Sequence, residues 1–339
     1  MSTTPSRRVG GLLVLLLATA GMVGTGPEAA AAPVTVNLCA TGGTLSLPGP
    51  TTVPIWGFGV PTTPGDCSTA TATLPGPTLG LAPGTPEIPV INEGDQVTLN
   101  VTNALPGTRT LHFEIPGITF DPGPVEAASG ATVTVNFTAS APGTYLYQSS
   151  GDAGRQTAMG LYGAMVVNST TAGQAYGPAA TAYDQQEVLV LSALDPDFNA
   201  APDTFDLNGY TATYWMINGE SYPDSAPLDS DGDGVTAAAG QRLLLRYLNA
   251  GFDNTTMALL GLHEHVVARD ARLVPHAFDA AAETIPAGAT EDAIVTMPAS
   301  PAPPVAAGYP LYNRQLHLTN GPLTTPTPAP GGMLTFIHP

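Results

Sequence analysis

Two short spacings of imidazole and carboxylate side chains could bind a metal ion. The first is His112-Phe-Glu114 and the second is His263-Glu-His265. Residues two apart on a β-strand point to the same face, so each spacing can present two ligands to one ion. Imidazole suits Cu(II), Zn(II) and Ni(II), and both spacings are therefore candidate copper sites. The alternative in each case is a strand face on which the histidines are only hydrogen-bonded and Glu114 is solvated.

An acidic segment forms the third candidate site. Asp229, Asp231 and Asp233 occupy alternate positions of Asp-Ser-Asp-Gly-Asp-Gly, which is how a calcium loop begins. The bidentate Glu expected at the twelfth position is replaced by Gly240, and strand patterns flank the segment. It is therefore not an EF-hand. The segment is a candidate for a separate calcium loop of modest affinity, and the other interpretation is an exposed acidic turn.

The cysteine pair is the last feature with chemical potential. Cys39 and Cys67 are the only cysteines of the chain. In an oxidising compartment two such residues most simply form one disulfide. The alternative is a copper thiolate, which needs a histidine on the same loop, and neither cysteine has one nearby. The sequence therefore predicts a structural disulfide.

Composition narrows the class of protein that carries these residues. The 339 residues include 27 Asp and Glu but only 9 basic residues, all of them arginine. Nucleic-acid binding is disfavoured, and no nucleic-acid partner is expected, because the chain has no basic stripe to displace counterions from phosphate. The absence of lysine excludes Schiff-base chemistry. The 38 glycines and 35 prolines favour a turn-rich all-β protein.

The N-terminal segment predicts export. Residues 1–31 resemble a secretory signal peptide: Arg7 and Arg8 precede an apolar run over 10–23, and alanines over 29–32 offer a cleavage site. The apolar run is short for a membrane span, and none is expected in the mature chain. The protein is therefore predicted to be secreted. The arginine pair leaves twin-arginine export open as an alternative route.

Alternating apolar residues predict the strands that must position the candidate ligands. Val97, Leu99 and Val101 alternate with polar residues, so they should share one buried face. Strand patterns also cover 110–114, which carries His112, and 132–137. Turn residues recur at intervals typical of a β-sandwich or a Greek-key barrel.

Ordered motifs in these strands resemble those of the multicopper oxidases. The motifs of the first half are Gly76-Pro-Thr-Leu79, Glu93-Gly-Asp95, Gly143-Thr-Tyr-Leu-Tyr147 and Gly160-Leu-Tyr-Gly-Ala164. Those of the second half are Ile217-Asn-Gly219, Arg246-Tyr-Leu-Asn-Ala-Gly251 and Ile285-Pro-Ala-Gly288. The resemblance implies two cupredoxin-like (plastocyanin-like) Greek-key β-sandwich domains, at 32–168 and 187–339, joined by a linker at 169–186.

The same resemblance exposes a shortage of copper ligands. The family places His-x-His directly after its Tyr strand, where this chain has Gln148-Ser-Ser150. The family's other first-domain motif, His-x-His-Gly, becomes His112-Phe-Glu114-Ile115. In the second domain the Gly-His position falls at Gly261-Leu262, so His263 and His265 are not the family's ligands.

This mismatch leads to a main functional hypothesis and two alternatives. The main hypothesis is a secreted cupredoxin protein that no longer runs the oxidase reaction, has no catalytic residues, and serves as a binding or structural protein with at most a weak copper site. The first alternative is a laccase-like copper oxidase with oxygen as acceptor, whose site forms between domains or subunits from His112, His263 and His265. The second is calcium-dependent surface attachment through 229–233. The sequence identifies no substrate or protein partner, and it allows a homo-oligomer.

Overall fold

The computed structural model describes residues 33–49, 51–225, 235–321 and 329–339. The predicted signal peptide at 1–31 therefore lies outside the described residues. Within the described ranges almost all regular structure is β-strand, which confirms the predicted all-β class. No helix in these ranges combines the length and the apolar character that crossing a membrane requires.

The first sandwich is built from two sheets. One sheet has four strands in the order β2-β1-β4-β7, and the other has five in the order β3-β9-β8-β5-β6. The strands are β1 (Pro33–Ser46), β2 (Thr52–Gly59), β3 (Gly76–Leu79), β4 (Gln96–Ala104), β5 (Leu111–Glu114), β6 (Val125–Ala127), β7 (Thr132–Thr138), β8 (Gly143–Ser149) and β9 (Tyr162–Val167).

The second sandwich repeats this arrangement with larger sheets. Six strands follow the order β11-β10-β13-β18-β15-β16, five follow β12-β22-β19-β14-β17, and β20 pairs with β21 alone. The strands are β10 (Gln185–Leu194), β11 (Tyr214–Ile217), β12 (Val235–Thr236), β13 (Arg242–Asn249), β14 (Thr255–Leu259), β15 (Glu264–Arg269), β16 (Arg272–Ala280), β17 (Ala282–Ile285), β18 (Thr290–Thr296), β19 (Tyr309–Asn313), β20 (Thr319–Asn320), β21 (Ala329–Pro330) and β22 (Leu334–His338).

In the part of the chain that the structure describes, helical structure is limited to short segments between strands. The two α-helices found there are α1 (Arg155–Ala158) and α2 (Pro196–Ala200), and the 3-10 turns are Cys67–Thr69, Asp152–Gly154, Ala179–Thr181 and Leu207–Gly209. Asp195 caps α2 by accepting hydrogen bonds from the first backbone amides of the helix, and Pro196 occupies its first position.

The core of the first sandwich follows the predicted alternation. Val97, Leu99 and Val101 are each at most 2% exposed, whereas the residues between them lie at the surface or are half-buried. An aromatic cluster continues this core on β5 and β8. The ring centroid of Phe113 lies 5.6 Å from that of Phe58 and 5.9 Å from that of Tyr147. Because Phe113 and Tyr147 point into the core, their neighbours in sequence, Glu114 and Gln148, point to the opposite face.

A separate apolar cluster joins the two sandwiches. Leu146 and Val166 on the outer face of the first sandwich share this cluster with Val190, Met216 and Leu248 of the second. The segment after β9 also packs against the second sandwich. Tyr176 is buried against Leu244 and Ile294 of the second sandwich. The boundary between domains at 169–186 stays a prediction.

Candidate functional site

Strands β5 and β8 bring together the residues that the family resemblance assigns to copper. The two strands are antiparallel, with Phe113 opposite Ser149 and Glu114 opposite Gln148. The amide of Ser150 donates to the carbonyl of His112 over 3.1 Å, so Ser150 lies beside His112. His112, Glu114, Gln148 and Ser150 therefore form one group, which we call the quartet.

A hydrogen bond between two side chains occupies half of this quartet. Nε2 of Gln148 donates to Oε1 of Glu114 over 2.8 Å, between two half-buried side chains. The carboxylate of Glu114 is thus committed to the neighbouring strand. This corrects the expectation that Glu114 is solvated. It also removes Glu114 as a free partner for His112, although the two share a face as the strand pattern predicted.

His112 is turned towards a different carboxylate. Its Nδ1 lies 3.6 Å from Oε1 of Glu126, which stands opposite it on β6. Both side chains are substantially exposed, at 41% for His112 and 59% for Glu126. This imidazole is therefore open to solvent or to another molecule. The 3.6 Å contact is too long for a hydrogen bond, and a metal site at His112 stays a prediction.

A buried polar network lies directly behind the quartet. Oγ of Ser149 donates to Oε1 of Gln156 over 2.6 Å, and Nε2 of Gln156 donates to the carbonyl of Thr110 over 2.8 Å. The backbone amide of His112 donates to Ser149 Oγ over 3.2 Å. Ser149 and Gln156 are fully buried, and these bonds satisfy their polar groups. The network fixes β5, β8 and helix α1 to one another.

Gln156 is the residue of this network that sequence reasoning missed. Helix α1 has only four residues, too few for a periodic pattern. A local signal was present in Gly151, because a Cβ there would lie 2.6 Å from the Gln156 amide group. Glycine at this position therefore reflects the close approach of a buried side chain.

Two clefts adjoin the quartet. The first has a volume of about 690 Å³, and its side chains are almost all polar. Its lining residues are Gly107, Thr108, Arg109, Thr110, His112, Asp152, Arg155 and Asp203. The second, of about 380 Å³, lies between the sandwiches. It is lined by Gln148 and Ser150 from the first sandwich and by residues 250–252 and 287–288 from the second.

The arginines of the first cleft are held by protein groups. The Arg109 guanidinium lies 4.2 Å above the ring of Trp56 and pairs with Asp203. Nη1 of Arg155 donates to the carbonyls of Pro202 and Phe205 over 2.8 and 2.9 Å. Both arginines thus attach the segment that follows α2 to the first sandwich. Their arrangement accounts for the polar lining without a ligand.

The second pair of predicted copper ligands lies at the start of strand β15. Strand β15 begins at Glu264, so His263 precedes the strand and is exposed, and only His265 lies within it. Nδ1 of His265 lies 2.6 Å from Oδ1 of Asp279 on β16. His263 and His265 flank the buried Glu264, and a metal site at this pair stays a prediction. Glu264, between them, points inward and accepts a hydrogen bond from Tyr247.

The cysteine prediction is confirmed. Cys39 and Cys67 form a disulfide that joins β1 to the first 3-10 turn, with their Cα atoms 5.6 Å apart. Both thiols are consumed, so neither is available as a copper ligand. The predicted calcium residues Asp229, Asp231 and Asp233 lie outside the described residues.

The donor set does not fit a copper centre of the family's kind. The described ranges contain no group of three or more His, Cys, Asp or Glu side chains arranged to hold a metal ion. The quartet offers one imidazole, while its carboxylate is hydrogen-bonded to an amide. Amide and hydroxyl oxygens bind copper poorly beside imidazole or thiolate.

Comparison with known proteins places this geometry in a family context. Residues 73–172, which include the whole quartet, match the family model for multicopper oxidase. The chain is multicopper-oxidase-like. A comparison of this multicopper-oxidase-like protein with curated proteins finds no match.

Solved structures extend the likeness beyond the matched segment. Blue copper oxidase from Nitrosomonas europaea superposes with a TM-score of 0.70 at 19% identity, covering 90% of this chain and 86% of that one. Copper nitrite reductase from the same organism gives 0.62 at 19% identity, covering 90% and 94%. Laccase from Botrytis aclada gives 0.60 at 22% identity, covering 84% and 49%. Identities this low establish the shared fold, and the fold alone does not carry an activity.

Proposed function

We propose that this multicopper-oxidase-like protein is a non-catalytic cupredoxin protein with a binding or structural role outside the cytosol. The observation that carries the proposal is the hydrogen bond from Gln148 to Glu114. These are two of the positions where the resembling family has imidazoles. Here they satisfy each other, so neither side chain needs a metal ion to complete its bonding.

The supply of ligands supports the same proposal. The chain has six histidines. Two of them lie beside carboxylates, since His112 faces Glu126 and His265 faces Asp279. A blue copper centre also requires a thiolate, and both cysteines are in the disulfide. At most a weak copper site at His112 remains, with solvent completing its coordination.

The cellular location is part of the proposal. The disulfide is typical of proteins outside the reducing cytosol, and it supports an extracellular or periplasmic location. Secretion through a signal peptide at residues 1–31 would place the chain there. Cleavage near 29–32 is checked by N-terminal sequencing of the exported protein.

Copper loading tests the main proposal. The mature protein is incubated with Cu(II) and desalted, and its metal content, visible spectrum and oxygen uptake with a phenolic substrate are measured. We expect substoichiometric copper, no intense blue band and no oxygen uptake. Stoichiometric copper together with phenol-dependent oxygen uptake would overturn the proposal.

A designed variant sharpens this test. Gln148→His with Ser150→His restores imidazoles beside His112 and should increase copper retention. No blue centre should appear, because no cysteine lies on that loop. The matched control is Thr63→His with Gln96→His, which adds the same two imidazoles at exposed sites on other elements. Equal copper retention in both variants would show that the quartet is not a metal-binding geometry.

A second candidate function is the laccase-like oxidase with oxygen as acceptor. The observation that favours it is the exposure of His112 and His265, at 41% each, which leaves both imidazoles accessible to a second chain. Such a site would form between subunits, with His263 as a further ligand. This function requires both an oligomer and copper-dependent activity. Light scattering with and without copper shows whether an oligomer forms, and oxygen uptake by the copper-loaded sample tests the activity.

A further inference from the structure

One corner of the second sandwich contains an arginine that bridges its two sheets. Nε of Arg269, at the end of β15, lies 2.8 Å from Oε2 of Glu291 on β18. Nη2 of the same residue lies 2.8 Å from Oε1 of Glu283 on β17. Strands β15 and β18 belong to the six-stranded sheet and β17 to the five-stranded one. Arg269, Glu283 and Glu291 therefore connect the sheets, and we call them the Arg269 corner.

The charges around this corner do not balance. Glu291 stands opposite Arg269 on one side and opposite Tyr247 of β13 on the other, so the three form a row across the sheet. The hydroxyl of Tyr247 donates to a third carboxyl group, that of Glu264 on β15. The Arg269 guanidinium thus pairs with two of the three carboxyl groups, and Glu264 is hydrogen-bonded to Tyr247 instead. The exposed fraction is 2% for Glu264 and 3% for Glu291.

The next acidic residue does not change this balance. Asp292 follows Glu291 but points to the other face of the sheet, where it pairs with Arg246. From β16, Phe278 covers the Arg269 guanidinium at 5.4 Å. Arg272 of β16 stands opposite Arg269, but it is exposed and forms no ion pair with these carboxyl groups. Full ionisation therefore leaves two uncompensated negative charges in and beside the core, and burial of unpaired charge is unfavourable.

We infer that the Arg269 corner is a proton-dependent contact: it holds the two sheets together while the buried carboxyl groups retain a proton, and it loosens when all of them are ionised. The strand that loosens with it is β16, the outer strand of its sheet. This inference goes beyond the proposed function and does not depend on it.

The direction of the pH dependence follows from the buried glutamate. Burial raises the pKa of Glu291 from 4.5 to about 7, while the hydrogen bond and charge of Arg269 oppose the increase. We call the state with the Arg269 corner intact closed and the state with it loosened open. Between pH 4.5 and about 7 the closed state therefore binds more protons than the open state. Its stability relative to the open state falls as pH rises from about 4.5, and the fall ends above about 7. Burial likewise raises the pKa of Glu264 to about 7. Opening therefore increases about tenfold per pH unit within this window for each of the two linked protons.

Hydrogen exchange measured peptide by peptide tests the inference. Protection of the peptides covering 264–285, corrected for intrinsic exchange, is followed from pH 5 to 8. We expect it to fall about tenfold per unit for each linked proton up to about pH 7 and then level. Glu291→Gln keeps the shape of the side chain and removes one titrating group. The slope of the logarithm of protection against pH should therefore decrease by about one. The control Glu87→Gln removes an exposed carboxylate and should leave the dependence unchanged.

A second variant separates proton linkage from simple loss of packing. Tyr247→Phe removes the hydrogen bond that favours ionised Glu264, so the pKa of Glu264 should rise. The pH at which protection stops falling should therefore move upwards. If protection does not change with pH in the unmodified protein, or if Glu291→Gln retains the full dependence, the inference is wrong. If Glu291→Gln does not fold, the Tyr247→Phe result decides, because an unmoved levelling point also contradicts the inference.

Discussion

A buried ion pair between the sandwiches gives the prediction with the largest expected effect. Nη1 of Arg246 lies 3.2 Å from Oδ2 of Asp292, and each side chain is only 1% exposed. Arg246 also donates to Oγ1 of Thr144 in the first sandwich, and Thr144 donates to Asp292 over 2.7 Å. Tyr176, in the segment between the sandwiches, donates to the same carboxylate. The pair therefore ties together both sandwiches and their connection.

The perturbation is Asp292→Asn, which keeps the size of the side chain and removes its charge. Arg246 then remains charged and buried without a carboxylate partner. Removing one member of a buried pair typically costs about 3–5 kcal/mol, because the other charge is left uncompensated. Thr144 and Tyr176 can still donate to the amide oxygen, so we expect a loss near the lower end of this range.

The assay is urea unfolding followed by tryptophan fluorescence. With a slope of about 3 kcal/mol per molar urea, the midpoint should fall by about 1 M. The control Asp279→Asn removes a 69% exposed carboxylate paired with His265 and should change stability by less than about 1 kcal/mol. Arg246→Met combined with Asp292→Leu removes both charges and should recover at least half of the loss.

Two results would refute this reasoning. If Asp292→Asn unfolds at the same urea concentration as the unmodified protein, the pair contributes little that an amide cannot replace. If the double variant is less stable than the single one, the network stabilises through its hydrogen bonds rather than through charge compensation.

Burial and the nearby Asp292 raise the pKa of Tyr176, so its hydroxyl keeps its proton and remains a donor at neutral pH.

Two further predictions concern the disulfide between Cys39 and Cys67 and the acidic segment at 229–233. Thiol titration of the unfolded, unreduced protein should find no free thiol, and two free thiols would contradict the pairing. Cys39→Ser with Cys67→Ser should lower the free energy of unfolding by about 3–4 kcal/mol, because the disulfide closes a loop with a sequence separation of 28. Millimolar calcium should raise the melting temperature by mass action, and Asp231→Ala should abolish the shift; an unchanged melting temperature would leave 229–233 as an acidic turn.

The sequence predicted those parts of the structure that depend on local pattern. The alternation of Val97, Leu99 and Val101 specifies which face of β4 is buried, and the structure buries all three. The pairing of Cys39 with Cys67 required only two cysteines and an oxidising compartment. The fold followed from the order of motifs, which is a property of the chain read from end to end.

The candidate site was harder to predict because its contacts join distant parts of the chain. Glu114 and Gln148 are 34 residues apart, and neither spacing nor composition indicates that they are hydrogen-bonded. The Arg246–Asp292 pair spans 46 residues and depends on Thr144 from the other sandwich. At His263 the strand pattern of the sequence extended one residue beyond the observed strand, whose pairing begins at Glu264.

The quartet shows how a sandwich of this kind can remain folded without copper. A metal centre would connect β5, β8 and the following turn through its ligands. In this chain Gln148 connects β8 to β5 at the surface, and Ser149 and Gln156 connect β8, β5 and α1 in the interior. Each such bond contributes about 0.5–1.5 kcal/mol, and leaving one of these buried groups unpaired costs about 1–3 kcal/mol. The polar residues at these positions therefore have a structural reason to be there, which is independent of any ligand the protein binds.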